Sequence, residues 1–263
     1  MIRVRPSGIF PLELWDLCLG TGILWDHMSQ ADFGGVLKHS LTQVWEGQGA
    51  TRSEGLVPEC VRGFQGLYLA GGGAESVLAS LQEGPWSRTH LCTASHFAGD
   101  AGGHFLLGQQ GLTGWVLDLG QSALKISAAG YQQTWPRDLT RLPLREDRLD
   151  TSVADQRAEL RHFIAKALQS FLHLMGRRPD GLVCALPSRL DDLGIPEGSS
   201  YIGMGGDASL LPEALVLAGF GQTQLLVLND AELAATSALL DPLVQRRTLV
   251  LTLGFGVGAA LIT

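Results

Sequence analysis

The sequence contains few cysteines and no long apolar run. Four cysteines (Cys18, Cys60, Cys92 and Cys184) occur among 263 residues, and none forms a C-x-x-C pair. This spacing argues against a disulfide framework and favours reduced, mostly buried thiols, as in the cytoplasm. Without a run of about 18 apolar residues, no membrane-spanning helix is expected. The first residues lack the pattern of a signal peptide, so the expected location is cytoplasmic.

Positive charge is also scarce. The chain has 19 Lys and Arg against 26 Asp and Glu, which gives a net charge of −7. A surface for nucleic acid needs clustered Lys and Arg, so no nucleic-acid partner is expected. An anionic small molecule is still compatible with this charge, because backbone N–H groups and a metal ion can hold phosphates locally.

Glycine, by contrast, is abundant. The 34 glycines cluster at the ends of apolar runs, where tight loops follow strands. Residues 154–175 have helical spacing and stop at Gly176, whereas the apolar runs 181–186 and 225–228 predict buried strands. Strands alternating with helices, together with two strand–loop–strand units, predict an α/β protein with mixed sheets flanked by helices.

The first of four motifs, D-x-G-x-S-x-x-K, begins at Asp118 at the end of a predicted strand. Its carboxylate can hold Mg²⁺, usually through water. Gly120 lets the backbone approach a phosphate, and Ser122 can donate a hydrogen bond to a phosphate oxygen. The same residues also fit a plain hairpin with an Asp in its turn, so the motif alone leaves both interpretations open.

The second motif, G-x-G-x-G, comprises Gly254, Gly256 and Gly258 between two predicted strands. Glycines at alternate positions expose backbone N–H groups and suit a phosphate cradle. An ordinary glycine-rich hairpin is the alternative.

The third motif places Gly71, Gly72 and Gly73 between a strand and a helix. Three glycines there would leave room for a flat ring, such as adenine, to lie against the backbone. A tight turn without a ligand is the alternative.

The fourth motif, N-D-A-x-x-A-A, begins at Asn229 and Asp230, where a strand leads into a helix. A carboxylate at this place can take the proton of a substrate hydroxyl during phosphoryl transfer, and Asn229 can fix a neighbouring hydroxyl. Asn and Asp also favour ordinary helix starts. The small residues that follow would allow close packing of the helix.

Together the four motifs resemble the ROK-type bacterial sugar kinases (repressor, open reading frame, kinase), which are glucokinase-like members of the actin-like ATPase superfold. The resemblance matches in order from Trp115 to Thr263, where it identifies the first, second and fourth motifs as phosphate-1, phosphate-2 and catalytic-base segments. It identifies the third motif, which precedes this region, as the adenosine segment. It implies ATP and Mg²⁺ as cofactors and a sugar as substrate.

The site residues follow from the same resemblance. It implies Asp230 as the general base, Asn229 and Asp230 as substrate-binding residues, and Asp118 as the Mg²⁺ ligand through water. The nucleotide-binding residues that it implies are Asp118, Gly120, Gln121, Ser122, Lys125, Gly254, Gly256, Gly258, Gly71, Gly72 and Gly73.

The resemblance implies two ribonuclease-H-like domains with the nucleotide between them. In the family the adenosine segment follows the phosphate-2 hairpin, but here Gly71–Gly73 precede Asp118. The expected domains are therefore 111–238 and, discontinuously, 1–110 plus 239–263, as in a circular permutation. Permutation needs only a joinable pair of ends and a tolerated break at the surface.

The sequence departs from the family in three places. The family's Glu-x-Gly-His segment and its Cys-x-Cys-Gly-x-x-Gly-Cys zinc site are absent, so zinc is not expected and the sugar is not identified. Gln121 stands where the family usually has glycine. The expected function is ATP-dependent phosphorylation of a sugar hydroxyl. A non-catalytic nucleotide or sugar sensor and an ATPase for a protein partner are the alternatives, and a homodimer is left open.

Overall fold

The computed structural model describes residues 30–46, 62–91, 97–128, 130–143, 151–188, 190–199, 201–244, 246–254 and 257–263. These residues fall in two compact units. The first unit consists of the described parts of Met1–Gly102 and Ala231–Thr263, and the second unit consists of those of Gly103–Asp230.

Helices and strands alternate along most of the chain. The helices are α1 (Gln30–Trp45), α2 (Ala74–Gln82), α3 (Asp100–Gln109), α4 (Val153–Met175), α5 (Leu210–Ala218) and α6 (Asp230–Ala238). The strands are β1 (Gly66–Ala70), β2 (Arg88–Leu91), β3 (Gly114–Leu119), β4 (Ala123–Ala128), β5 (Tyr131–Pro136), β6 (Gly181–Leu186), β7 (Gln224–Asn229), β8 (Thr248–Leu253) and β9 (Val257–Ile262).

The second unit contains a five-stranded sheet in the order β5-β4-β3-β6-β7. Strands β3, β6 and β7 are parallel, whereas β3, β4 and β5 form an antiparallel meander. Helices α4 and α5 cover one face of the sheet. On that face Trp115 packs against Phe171 and Phe220, with ring centroids 4.9 and 5.3 Å apart.

Helix α4 has strong signals at both ends. The Ser152 hydroxyl accepts a hydrogen bond from the Asp155 N–H at 3.1 Å, which satisfies a donor of the first turn. Gly176 ends the helix in the left-handed conformation at φ 66° and donates to Leu172 O. The helix predicted over 154–175 is confirmed.

The two apolar runs of the second unit have different surroundings. All six residues of β6 are buried between β3 and β7, as predicted for a central strand. Strand β7 lies at the edge of the sheet, and five of its six residues are only half-buried. The strand predicted over 225–228 is confirmed, but its predicted burial is wrong, because the apolar run does not reveal which strand has a neighbour on each side.

The first unit contains a four-stranded sheet in the order β2-β1-β8-β9. Strands β2, β1 and β8 are parallel, and β9 returns antiparallel to β8. Apolar residues from α1 and α2 fill one face, and alanines of α6 fill the other. A Cβ at Gly102 would lie 2.5 Å from Ser237 N, so α6 does pack as closely as its small residues predict.

Both sheets contain three parallel strands, one of which forms a hairpin with an antiparallel strand, and the second-unit sheet carries β5 as a further antiparallel strand. In the second unit the hairpin strand β3 comes first in the chain, followed by β6 and β7. In the first unit the equivalent strand, β8, comes after β1 and β2. The predicted α/β class with mixed sheets and flanking helices is confirmed. No helix within the described residues is long and apolar enough to span a membrane.

Candidate functional site

The parallel strands of the second unit bring two of the motifs to one edge of the sheet, the edge formed by the carboxyl ends of these strands. Asp118 is in register with Ala185 of β6, which is in register with Leu228 of β7. The carboxyl ends of β3 and β7 therefore lie at the same edge, about 10 Å apart across β6. Asp118, Asn229 and Asp230 therefore all lie at this edge, which is where open α/β sheets bind ligands.

Asp118 is held by its neighbour across the hairpin. Its side chain is 18% exposed, and its Oδ2 lies 3.2 Å from Nζ of Lys125, which is directly opposite on β4. The ammonium group balances the carboxylate in a partly desolvated place, where an unpaired charge would be costly. Lys125, predicted to bind nucleotide, therefore contacts Asp118 in the structure.

The carboxylate also affects its surroundings. Burial raises the pKa of the Cys184 thiol, and the nearby negative charge of Asp118 raises it further. Cys184 is thus a protonated, buried thiol, which confirms that part of the prediction for the cysteines. Cys18, Cys60 and Cys92 lie outside the described residues.

The turn between β3 and β4 is fixed through its carbonyl groups. The Tyr201 hydroxyl donates to Gly120 O at 2.8 Å, and Arg137 Nη1 donates to Gln121 O at 3.0 Å. The backbone N–H of Arg137 donates to Ser122 O at 2.8 Å. Three consecutive carbonyls of the turn are therefore bound by the protein itself.

Asn229 and Asp230 stand where β7 leads into α6. The Asn229 side-chain amide donates to Ser188 O at 2.8 Å, which ties the end of β7 to the segment after β6. Asp230 is the first residue of α6. A carboxylate at a helix start interacts favourably with the helix dipole.

The glycine motifs of the first unit also lie side by side. Gly71 follows β1 with φ +89°, and a Cβ there would lie 2.5 Å from Leu253 O at the end of β8. The backbone of β8 fills the space where a side chain on Gly71 would lie, so this position requires glycine. Gly72 is exposed with no atom within 4 Å of its Cβ position, and Gly73 donates to Leu253 O at 2.7 Å.

The hairpin after β8 has an exposed glycine and one buried hydroxyl. Gly254 is exposed, and a Cβ there would meet nothing within 4 Å. Thr252 pairs with Gly258 of β9, and its Oγ1 is buried with no hydrogen-bond partner within the described residues. A buried donor without a partner fits a polar ligand at this strand end. Gly256 lies outside the described residues.

Within the described ranges, no group of three or more His, Cys, Asp or Glu side chains could hold a metal ion. Asp118 is the carboxylate that the sequence assigns to Mg²⁺. Such ions commonly take one or two carboxylates and complete their shell with water and phosphate oxygens.

Three residues at this edge were not predicted from the sequence. They are Arg137, Ser188 and Tyr201, which lie in segments without periodicity. Tyr201 is 81 positions from the carbonyl it binds, and Asn229 is 41 positions from Ser188. Local patterns carry no signal for contacts over such separations.

Comparisons of the chain with models of protein families, with curated proteins and with solved structures each found no match.

Proposed function

We propose that this protein is an ATP-dependent phosphotransferase that acts on a hydroxyl group of a sugar or a similar metabolite. The observation that carries the proposal is the shared edge of the second-unit sheet, where Asp118 and its turn stand across β6 from Asn229 and Asp230. Phosphoryl transfer needs phosphate-binding donors and a base for the acceptor hydroxyl, and this edge offers both.

The donor groups fit a nucleotide with Mg²⁺. Asp118 would hold the metal ion through water, and the turn at Gly120, Gln121 and Ser122 would bind phosphate. The open space at Gly72 and the Thr252 hydroxyl, which has no hydrogen-bond partner among the described residues, favour a polar ligand at the strand ends of the first unit. ATP with Mg²⁺ would supply the phosphoryl group that is transferred.

Asp230 would act as the base toward the acceptor. Its carboxylate would take the proton of the attacking sugar hydroxyl as that oxygen bonds to the γ-phosphorus of ATP and the bond from this phosphorus to the leaving ADP breaks. Asn229, whose side-chain amide donates to Ser188 O, would orient the sugar. Binding both groups at one edge would lower the entropic cost of bringing hydroxyl and phosphate together.

The proposed fold is two actin-like domains in circularly permuted order. The similar strand orders of the two sheets support this, because, apart from the additional strand β5, each sheet has a hairpin and two further parallel strands. The hairpin leads the second unit and ends the first, as expected when one domain is split and rejoined.

Release of ADP over a panel of sugars tests the proposal. The unmodified protein should turn over at least one sugar, and Asp230→Asn should lower kcat by about 10²- to 10⁴-fold. Asp192→Asn, which changes an exposed carboxylate of the same unit, is the matched control and should leave kcat unchanged.

Other outcomes separate the alternatives. Calorimetric binding of nucleotide or sugar without turnover would indicate a sensor. ATP hydrolysis that no sugar stimulates would indicate an ATPase for a protein partner. If neither nucleotide nor sugar binds, the proposal is wrong.

A further inference from the structure

The turn after β3 is held from one side by two stacked side chains. The Arg137 guanidinium lies 3.8 Å from the centroid of the Tyr201 ring. Both residues are buried, Arg137 at 6% and Tyr201 at 2% exposure. Their donors reach Gly120 O and Gln121 O, so these two carbonyls point toward the same buried pair.

The direction of the carbonyls fixes the direction of the next N–H groups. In a trans peptide the C=O of one residue and the N–H of the next point in opposite directions. The N–H groups of Gln121 and Ser122 therefore point away from the Arg137–Tyr201 pair. Ser122 is exposed and Gln121 half-buried, so this side of the turn is the accessible one. Two adjacent N–H groups on one side form a small anion-binding concavity.

The buried pair is itself well anchored. Arg137 Nε donates to Leu142 O at 2.6 Å, and Nη2 donates to Pro143 O at 2.5 Å. Burial raises the pKa of Tyr201 to about 12 despite the opposing charge of Arg137, so the hydroxyl keeps its proton at neutral pH. The side chains that donate to the turn carbonyls are thus in place without a ligand. Binding therefore does not have to order the turn.

We propose that Tyr201 and Arg137 are positioning residues that hold the N–H groups of Gln121 and Ser122 toward a phosphate group. This inference rests on the proposed nucleotide binding but concerns only the turn and its two anchors. Neither residue touches the phosphate in this arrangement. Each acts through a carbonyl on the opposite side of the turn.

Tyr201→Phe is the sharpest test, because it removes one hydroxyl and keeps the ring under Arg137. ADP with Mg²⁺ should bind this variant about 5- to 10-fold more weakly, the effect of one lost hydrogen bond. At saturating nucleotide, kcat should change less than twofold, since the base is untouched. Tyr131→Phe, at an exposed tyrosine of β5, should bind ADP like the unmodified protein.

A second measurement separates positioning from general stability. Backbone amide signals of Gln121 and Ser122 should shift when pyrophosphate is added, and Tyr201→Phe should weaken that response. Thr113→Val removes a side-chain bond to Asp180 just before β3, at the opposite edge of the sheet. That variant should lose some stability but keep the pyrophosphate response, so lower stability alone would not mimic the effect.

The outcomes distinguish this inference from the proposed function. If ADP does not bind but pyrophosphate shifts both amides, the nucleotide proposal fails and the positioning role stands. If ADP binds without shifting either amide, or binds Tyr201→Phe as tightly as the unmodified protein, the positioning role is overturned. If neither ADP nor pyrophosphate affects the two amides, it is overturned as well.

Discussion

At the scale of single residues, neighbouring glycines of one motif have different roles. Gly71 has a backbone conformation and a contact with Leu253 that exclude a side chain, whereas Gly72 has open space around it. The sequence shows them as equivalent members of a glycine run. Their difference arises from the approach of β8, which is encoded far along the chain.

Gly71→Ala should therefore lower the free energy of unfolding by about 1–3 kcal/mol, since φ +89° is strained for alanine and its Cβ would meet Leu253 O. Gly72→Ala is the matched control and should change stability by less than about 0.5 kcal/mol. Urea denaturation of both variants measures the difference. Equal losses would contradict the contact with β8.

Asp207 is a buried carboxylate whose ionisation supports the fold. Burial raises its pKa, but hydrogen bonds from Ser209 and the charges of Arg161 and Arg157 outweigh burial and hold the pKa below its usual range. Arg157 and Arg161 lie 3.1 and 2.9 Å from its Oδ2. Because the folded pKa is below the unfolded one, the stabilisation is present above about pH 4 and is lost as pH falls through the folded pKa.

The prediction concerns the difference in free energy of unfolding between the unmodified protein and Asp207→Asn. The variant should be clearly less stable at pH 7, and this difference should decrease as the solution is acidified below about pH 4. Denaturant unfolding at several pH values provides the measurement. Glu213→Gln, which alters an exposed partner of Arg161, should differ much less from the unmodified protein in free energy of unfolding at every pH. If the difference for Asp207→Asn does not change with pH, the ionic role of Asp207 is ruled out.

At the scale of helices and strands, the sequence predicted those elements whose structural signals lie within or next to their own residues. Helix α4 has a cap at each end, and β6 is apolar throughout because both its faces are buried. The sequence assigned no element to β5 or α5. Strand β5 is an exposed edge of polar residues that ends in Pro136, so it lacks the apolar alternation of a strand. Helix α5 carries Pro212 in its first turn and is too short for a clear period.

Helix α3 allows a direct test of close packing. A Cβ at Gly102 would lie 2.5 Å from Ser237 N and 2.8 Å from Leu233 O, both backbone atoms that cannot easily move. Gly102→Ala should therefore destabilise the protein by about 1–3 kcal/mol. Gly108, in the same helix, has open space. Gly108→Ala should stabilise by about 0.5–1 kcal/mol, because alanine has the higher helix propensity. If the melting temperatures of both variants shift in the same direction, the close packing at Gly102 is contradicted.

At the scale of the whole molecule, the sequence predicted the α/β class and mixed sheets but not how the edge of the second unit is built. The strand ends that carry Asp118 and Asn229 were recognisable as motifs. Their register across β6 depends on pairings between segments more than 40 positions apart. The anchors Arg137 and Tyr201 likewise depend on loop paths that have no periodic signal.

Ligand binding should appear as stability of the whole molecule. A ligand that binds only the folded state at 100 times its Kd adds about 2.7 kcal/mol to the free energy of unfolding. ATP with Mg²⁺ should raise the melting temperature accordingly, and AMP at the same concentration should raise it less, because it lacks the outer phosphates. Equal shifts with ATP and AMP would argue against phosphate recognition.

The bond from Tyr201 to Gly120 O has a consequence for synthesis of the chain. The β3–β4 hairpin is made 81 positions before the tyrosine that anchors its turn. At about 5–20 residues per second, the nascent hairpin waits roughly 4–16 s for that hydroxyl. The β3–β4 turn, which would bind phosphate, thus gains this hydrogen bond only after most of its own sheet has been translated. Until then the turn lacks one of the hydrogen bonds that fix its conformation.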